Sequence, residues 1–415
     1  MYRLAGNSGP LQFTDSETNR MILSQVLNIV GVALVLATLP LLAELLMLTV
    51  ASMLPSTKEI EQASETEDFP ITVLIPAHNE ETLVGRCIRS MSLSAGAGVD
   101  LMVIAHNCTD ATAAKAEAAG ARVLVLNDSD QKGKGYALRY GFAAALAGAS
   151  RAVLVIDADS VVGPGLIAAV QQRFQTGAQA VQCRYEVLNS EGNHRTRLMT
   201  LAFQGFNVIR PRGRGRLGLS SGILGNGFAL HRDVLTRIPY GAYSIVEDLE
   251  YHLALVRAGI RVEFVDTATV SGEMPHTDLG AQTQRARWEG GRRRMMRRWA
   301  HKLMGDVLRG RARLIEPLLD LLAVPISSEV CLLLVAACLP IAWLRVYALG
   351  GLLVLALHVT AAAVDGSSIR GTLRVLAVVP AYIFWKLWML PDVWRASRAD
   401  SLWVRTARDT PGDSQ

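Results

Sequence analysis

Hydrophobic residues are distributed unevenly along the chain, and the most apolar stretches lie toward its two ends. Residues 21–54 are almost uncharged apart from Glu44, and three further apolar stretches cover about 314–343, 346–364 and 375–394. A helix of ~20 residues can cross a bilayer, so these stretches predict membrane attachment, with buried core helices as the alternative. Pro40 lies in the middle of the first stretch, which is therefore either one tilted span or a tight hairpin.

The middle of the chain alternates short apolar runs with helical patterns. The runs are rich in β-branched residues or leucine and lack polar alternation, as expected for strands covered on both faces. They are Ile71–Ile75, Leu101–Ala105, Arg122–Leu126 and Ala152–Ile156. The helical patterns are Glu80–Met91, Ala111–Ala119, Gly135–Ala147 and Pro164–Gln175. This order predicts an α/β domain with a mostly parallel sheet. Ligands of such sheets bind beyond the carboxyl ends of the strands, so the residues that follow each strand are the candidates for chemistry.

These patterns predict six parts along the chain. In order they are a polar tail (1–20), a first transmembrane segment (21–54), an acidic linker (55–68), a water-soluble domain ending in an interfacial helix (69–300), further transmembrane or interfacial helices (301–394) and a second polar tail (395–415). The number of spans and the side of each terminus stay open. One initial span and three later ones would place the last tail outside, whereas its arginines predict the inside.

Composition and charge support the membrane interpretation. Half of the residues are hydrophobic, the mean hydropathy is +0.26 and the formal net charge is +5. Basic residues cluster beside the apolar segments, above all in Arg292–Arg298, which favours the cytoplasmic side and anionic lipids over nucleic acid. The five cysteines are scattered without metal-ligand or disulfide spacing, which fits a reduced cytosolic domain.

Polar residues follow the first two predicted strands. After the first come Pro76, Asn79 and Glu80, which also fit a strand end and a capped helix start. After the second comes His106, placed to contact a nucleotide base or to serve a structural role. Lys134 stands in Lys-Gly-Lys-Gly before the third helix, where glycine amides and lysine charge suit an anion. The spacing of a P-loop is absent from this segment.

Two carboxylates close the fourth predicted strand. Asp157 and Asp159 stand one residue apart, and strand alternation would point both the same way. Like charges held close together are unfavourable unless a cation bridges them. A hard cation such as Mg²⁺ or Mn²⁺, shared with a diphosphate, would relieve the repulsion. The alternative is a helix cap beside a surface acid.

Three later segments also carry candidate chemistry. Gly225, Asn226 and Gly227 lie in a glycine-rich segment that permits close backbone approach to a ligand or a plain turn into a strand. Asp248 is either a helix-start acid or a general base for an acceptor hydroxyl. The third segment places a glutamine, an arginine and a tryptophan on one helix face at i, i+3 and i+4: Gln284, Arg287 and Trp288. Arginine can bind phosphate oxygens and tryptophan can support a sugar ring, whereas an interfacial helix is the alternative.

Taken together, these motifs resemble the family 2 glycosyltransferases with the GT-A (Rossmann-like) fold. The resemblance covers roughly residues 70–299. It is greatest to the membrane-embedded branch that has a Q-x-x-R-W motif and contains cellulose, chitin, hyaluronan and poly-N-acetylglucosamine synthases. It implies a GT-A domain flanked by transmembrane helices, a nucleotide-sugar donor and a divalent metal.

The resemblance also implies roles for individual residues. Donor binding falls to Pro76, Asn79, Glu80, His106, Lys134, Asp157 and Arg287, and metal binding to Asp157 and Asp159. Acceptor binding falls to Gly225, Asn226, Gly227, Gln284 and Trp288, and Asp248 is the catalytic base. His106 stands where most members have an aspartate that contacts the base, so the expected UDP-sugar is not fixed by this position.

The function expected from the sequence is inverting transfer of a sugar to a polysaccharide or other glycan at the cytoplasmic face of the plasma membrane. The alternative enzyme adds a single sugar to a lipid or lipid-linked acceptor. A degenerate transferase that serves as a binding scaffold is the non-enzyme alternative, and the intact acidic residues argue against it. The expected partners are the donor, the acceptor and membrane lipids, without nucleic acid. A polymer-exporting synthase with about four spans would need an export partner or a homo-oligomer.

Overall fold

The computed structural model describes residues 15–55, 69–96, 98–190, 194–274, 278–366, 385 and 388–397. The strands are β1 (Ile71–Ala77), β2 (Val99–His106), β3 (Arg122–Leu126), β4 (Ala152–Val155), β5 (Val161–Val162), β6 (Ala180–Val187), β7 (Phe228–His231) and β8 (Val262–Gly272). The helices of the sheet domain are α2 (Val84–Ser94), α3 (Thr112–Ala118), α4 (Lys134–Leu146), α5 (Leu166–Gln175), α6 (His194–Gln204), α7 (Arg210–Arg216), α8 (Arg232–Arg237) and α9 (Glu247–Arg257). A π-helical turn, Gly205–Ile209, joins α6 to α7. The remaining helices are α1 (Asp15–Ser52), α10 (Asp278–Leu308), α11 (Ile315–Leu322), α12 (Ile326–Cys338), α13 (Ala342–Gly366) and α14 (Leu390–Ala396).

The eight described strands form one mixed sheet in the order β3-β2-β1-β4-β7-β6-β8-β5. Strands β1 to β4 are parallel to one another, and β1 lies between β2 and β4. Apolar side chains cover both faces, since Ile71 packs into one core cluster and Leu74 into another. The predicted α/β fold class and the four predicted strands are therefore confirmed.

Strand β7 changes the direction of the sheet next to β4. It pairs antiparallel with β4 on one side and with β6 on the other. The chain that enters β7 therefore arrives at the edge where β4 ends. This brings the segment around Gly225 beside the residues that follow Val155.

The start of α2 differs from the prediction. The helix begins at Val84, not at Glu80, and no side chain caps it. Asn79 adopts a left-handed φ of 55°, and its Oδ1 accepts a hydrogen bond from the Thr109 amide (2.7 Å). Asn79 therefore joins the loops after β1 and β2, and the helix-cap interpretation of this residue was wrong.

Two described helices are long and apolar enough to cross a membrane. They are residues 18–52 of α1 and the whole of α13. The predicted stretch 314–343 is not one straight helix, because α11 and α12 meet at a break with a bend of 80°. Pro325 lies at this break and disfavours a continuous helix. Most of the stretch 375–394 and all of the acidic residues of the linker lie outside the described residues.

Buried ion pairs join α1 to the sheet domain. Glu44 is fully buried, and its carboxylate accepts hydrogen bonds from Arg210 and Arg214 of α7. Arg210 also donates to Asp320 of α11, and Arg214 donates to Glu316 (2.5 Å). The one charged residue of the first apolar segment therefore holds that helix against α7.

Candidate active site

A cleft of about 2720 Å³ opens along the carboxyl ends of the parallel strands. Most of the candidate residues from the sequence line it: Pro76, Glu80, His106, Lys134, Asp157, Asp159, Gly225, Asp248, Gln284, Arg287 and Trp288. Asn79, Asn226 and Gly227 are not among its lining residues. The parallel sheet thus gathers side chains from separate segments of the chain at one edge.

The residues predicted for metal binding lie in the turn that follows β4. The strand ends at Val155, so strand alternation is not what directs Asp157 and Asp159 into the cleft. The Asn226 side chain accepts from the Asp157 amide (3.1 Å) and donates to Ser160 Oγ (2.8 Å). Asn226 is buried and stabilises this turn through these two hydrogen bonds, and it does not line the cleft.

Lys134 connects this turn to the glycine-rich segment. Its ammonium group donates to Asp157 Oδ1 and to the carbonyl oxygen of Gly225. Burial lowers the pKa of Lys134, but Asp157 and Glu247 outweigh that effect, and the net shift is upward. Lys134 is therefore a cation at neutral pH, next to the predicted metal ligand.

Gly225 separates Asp157 from the predicted base. Its φ is +80°, and a Cβ at this position would lie 3.1 Å from Asp248 Oδ2. The side-chain amide of Gln182 fixes the segment that contains Gly225. It donates to the Asn226 carbonyl oxygen (2.7 Å) and accepts from the Leu224 backbone amide (2.9 Å). A glycine is thus required where the backbone passes over the Asp248 carboxylate.

Asp248 and Glu247 form a half-buried pair of acids at the start of α9. Burial raises the pKa of Asp248, although the Leu249 amide, which donates to Oδ1 (2.8 Å), and Lys134 oppose the shift. Burial and the neighbouring Asp248 raise the pKa of Glu247 to about 7. Both carboxyl groups therefore ionise at a higher pH than ordinary carboxyls, which suits a general base.

Other parts of the cleft wall carry neutral and aromatic groups. Burial lowers the pKa of His106, which is 4% exposed, so its imidazole is neutral at physiological pH. Asn107 Nδ2 lies 3.1 Å from His106 Nε2. The rings of Tyr136 and Tyr243 stack with centroids 4.6 Å apart, and both line the cleft. A planar base and its hydrogen-bonding edge suit these groups.

Helix α10 forms another wall of the cleft. The predicted common face of Gln284, Arg287 and Trp288 does line it. Gln284 Oε1 is buried and has no hydrogen-bond partner among the described residues. An unsatisfied buried oxygen is unfavourable, so this wall suits a ligand that supplies a donor such as a sugar hydroxyl.

The residues after β4 fit a divalent cation only in part. Both carboxylates line the cleft and offer the oxygen ligands that Mg²⁺ and Mn²⁺ prefer. Within the described ranges, however, no group of three or more histidine, cysteine or acidic side chains is arranged to hold a metal ion. The chain therefore supplies few ligands, and the donor diphosphate and water would have to complete the shell.

Two residues of this site escaped the sequence-based interpretation. Gln182 received no role, although a glutamine within the apolar start of β6 is a signal of a buried hydrogen-bonding task. Glu247 also received no role, and its raised pKa depends on burial that the sequence does not show.

Comparison with known proteins decides the family. A sequence model described as "Glycosyltransferase like family 2" matches residues 69–291, more than half of the chain. The chain belongs to this glycosyltransferase family. The predicted family and the prediction of a glycosyltransferase are thereby confirmed.

The following relative and solved structures share about a quarter or less of their sequence with this family 2 chain. It is 24% identical over 234 residues to the probable glycosyltransferase YdaM of Bacillus subtilis (strain 168), and it spans about half (54%) of that relative's length. The mannosyltransferase PcManGT of Pyrobaculum calidifontis, solved with GDP-Man and Mn²⁺, is 17% identical with a TM-score of 0.53. That alignment covers 89% of this chain and 97% of the other, and it shows the shared GT-A fold.

Glucosyl-3-phosphoglycerate synthase of Mycobacterium tuberculosis is a further similar structure, solved with Mn²⁺, UDP and phosphoglyceric acid. It is 26% identical, over 49% of this chain and 71% of that one. Its TM-score is 0.37, which is too low to carry an argument about this family 2 glycosyltransferase.

Proposed function

We propose that this glycosyltransferase moves a sugar from a nucleotide-diphosphate donor to an acceptor hydroxyl at the cytoplasmic face of the plasma membrane, with inversion at the anomeric carbon. One observation carries the proposal. Lys134 contacts both Asp157 and the Gly225 carbonyl, and Gly225 lies against Asp248. The Lys134 side chain therefore connects Asp157, a predicted donor-binding residue, to the segment that lies against the predicted base, Asp248.

The donor would lie with its diphosphate between α10 and the turn after β4. Arg287 on α10 and Lys134 supply positive charge to the phosphate oxygens. Asp157 and Asp159 would hold a divalent cation, which supplies Lewis-acid stabilisation of the leaving diphosphate when it is bound. The base of the nucleotide would lie beside His106, and UDP-sugars are the first donors to test.

The transfer step follows from the position of Asp248. Its carboxylate accepts the proton of the acceptor hydroxyl while the oxygen attacks the anomeric carbon from the side opposite the diphosphate. The bond from that carbon to the diphosphate oxygen breaks, and the nucleoside diphosphate leaves with the electron pair. Trp288 and Gln284 on α10 would orient the acceptor, and Gly225 leaves room for it.

Membrane attachment rests on α1 and α13 as candidate spans, with the basic residues of α10 facing the cytoplasmic side. Two acceptor classes suit the site. The Q-x-x-R-W residues are shared with polymer synthases and favour a glycan, in which case an export partner or a homo-oligomer would complete a channel. The continuation of the cleft between α12 and α13 favours a lipid.

Asp248→Asn tests the proposal. The purified full chain, supplied with Mn²⁺ and a panel of labelled nucleotide sugars, should release nucleoside diphosphate and transfer the sugar. The variant should bind nucleoside diphosphate as the wild type does, while transfer falls by about 10²–10⁴-fold, because only the proton acceptor is lost.

The matched control is Asp233→Asn, at a side chain 83% exposed next to α8's first residue, which should behave as wild type. Normal turnover by Asp248→Asn would contradict the proposed role of this residue.

A further inference from the structure

The cleft does not end at Asp248. It continues between the first turns of α12 and one face of α13, where its wall is mostly aliphatic and also includes Ser327 and Thr360. We call this part the apolar limb; its aliphatic residues are Ile326, Val330, Leu352, Leu355, Ala356 and Val359. The four α13 residues follow the i, i+3, i+4, i+7 pattern of a single helix face. Because α13 is a candidate membrane span, one side of the limb is a helix that would lie in the hydrocarbon region of a bilayer.

The composition of the limb favours hydrocarbon over a glycan as its occupant. Among the described residues, α12 and α13 contribute no phenyl, phenol or indole ring to the cleft wall. Aliphatic side chains also offer no hydrogen bonds, and burying sugar hydroxyls without partners is unfavourable. Hydrocarbon chains, in contrast, gain from contact with such a wall.

We call the part of the cleft lined by Arg210 and His358 the junction; each of these residues carries a buried polar atom without a partner in the described part of the chain. Arg210 lines the cleft and is almost fully buried, and its Nε has no hydrogen-bond partner there. His358 of α13 also lines the cleft; its Nδ1 lies 2.8 Å from Thr49 Oγ1, whereas its buried Nε2 has no such partner. These atoms indicate that a polar head with oxygen atoms belongs at this junction.

We propose that the acceptor is a lipid alcohol, such as a diacylglycerol, whose hydrocarbon chains lie in the apolar limb while its hydroxyl reaches Asp248. The inference rests on the proposed function and names its acceptor class. In the reaction, the bond from the lipid oxygen to the anomeric carbon forms and the bond from that carbon to the diphosphate breaks. The hydroxyl proton passes to Asp248, and the nucleoside diphosphate departs.

Two observations favour a hydroxyl over a lipid phosphate. A phosphate monoester is already largely ionised at pH 7 and needs no general base, whereas a hydroxyl does. The cations beside the junction are also matched by acids. Arg210, Arg214 and Arg292 pair with Glu44, Glu316 and Asp320. The junction therefore offers little net positive charge for a phosphate.

The test uses the full chain in phosphatidylcholine vesicles that contain dioleoylglycerol, a polyprenyl phosphate or neither, with labelled nucleotide sugar and Mn²⁺. Two quantities are measured: label extracted into organic solvent, and nucleoside diphosphate released. We expect labelled lipid only with dioleoylglycerol. In Ala356→Trp, which fills the limb from an open position, the ratio of lipid product to hydrolysed donor should fall by about a hundredfold. Leu353→Trp, on the same helix but 70% exposed outside the cleft, should match the wild type.

The outcomes separate the acceptor inference from the proposed function. Unchanged lipid transfer by Ala356→Trp, with the variant folded by thermal melting, would overturn the inference, as would label appearing only on polyprenyl phosphate or on a water-soluble glycan. In those cases donor turnover that depends on Asp248 would leave the proposed function intact. If no nucleotide sugar is consumed by the wild type, the proposed function itself fails.

Discussion

The reactivity of Asp248 depends on how its carboxylate is enclosed. Burial raises its pKa, and the adjacent Glu247, with a pKa of about 7, titrates together with it. An unperturbed aspartate would be fully ionised above about pH 5 and would show no proton exchange near neutrality. In the proposed mechanism, the half-buried pair instead supplies a proton acceptor with a raised pKa for the acceptor hydroxyl.

This pair predicts the pH dependence of transfer. The base must be deprotonated, so the rate should fall as pH falls through the raised pKa of Asp248, with an acid limb above the ordinary carboxylate range of about pH 4. Glu247→Gln removes one of the two interacting charges and should move that limb to lower pH. A pH profile of kcat/KM measures the shift.

Glu117→Gln, on the exposed face of α3, is the control and should leave the profile unchanged. A wild-type acid limb in the ordinary carboxylate range, about pH 4, would show that the carboxylate is not perturbed in the working enzyme.

Gly225 supplies the closest contact between the glycine-rich segment and the base. Gly225→Ala should lower kcat by about 10- to 100-fold, because the new Cβ would displace Asp248 Oδ2. The left-handed φ adds about 1 kcal/mol of strain, and that contribution must be separated from the displacement.

Gly177→Ala separates the two effects. Gly177 has φ +94°, and no atom lies within 4 Å of the position that an alanine Cβ would take, so the substitution introduces similar strain without the contact. It should lose similar stability in thermal melts while keeping the wild-type kcat. Equal kcat losses in the two variants would remove the argument for the close approach.

At the scale of elements, the site arises from one parallel sheet and one reversed strand. The four predicted strands were readable from sequence because Val73, Ile104 and Leu154 lie in continuous apolar runs. The positions of Asp157 and Asp159 followed from the rule that ligands lie beyond parallel strands. The sequence did not show that β7 pairs antiparallel between β4 and β6, which depends on contacts between distant segments.

The incorrect predictions for single residues also arise from contacts between distant segments. Asparagine is a common helix cap, but the Asn79 side chain instead accepts a hydrogen bond from the Thr109 amide in the neighbouring loop. Asn226 looked like a ligand-facing residue in a glycine-rich turn, but it holds the Asp157 turn from the buried side. In each case a local pattern was overridden by a partner far away in sequence. The stretch 314–343 is divided near Pro325 into two helices bent by 80°, so whether it counts as one span stays open, as it was from sequence.

At the scale of the whole molecule, α1 and the sheet domain form one unit through Glu44. Glu44→Gln should lower the free energy of unfolding by about 3 kcal/mol or more, because Arg210 and Arg214 would lose a buried countercharge. Thermal melting of the purified full chain in detergent measures the loss.

The half-exposed ion pair between Arg122 and Asp100 provides the comparison. Arg122→Gln breaks the pair with Asp100, whose side chains are 48% and 40% exposed, and should cost at most about 1 kcal/mol. If both variants melt alike, α1 is not fixed to the sheet domain by this network.

The proposed mechanism requires a donor diphosphate held at the turn after β4, within reach of Asp248. The most direct measurement is a structure of the full chain with Mn²⁺ and a nucleoside diphosphate, in which anomalous scattering locates the metal. We predict Mn²⁺ within about 2.5 Å of a carboxylate oxygen of Asp157 or Asp159, with the diphosphate between that turn and Arg287. A metal bound elsewhere, or a diphosphate outside the cleft that contains Asp248, would contradict it.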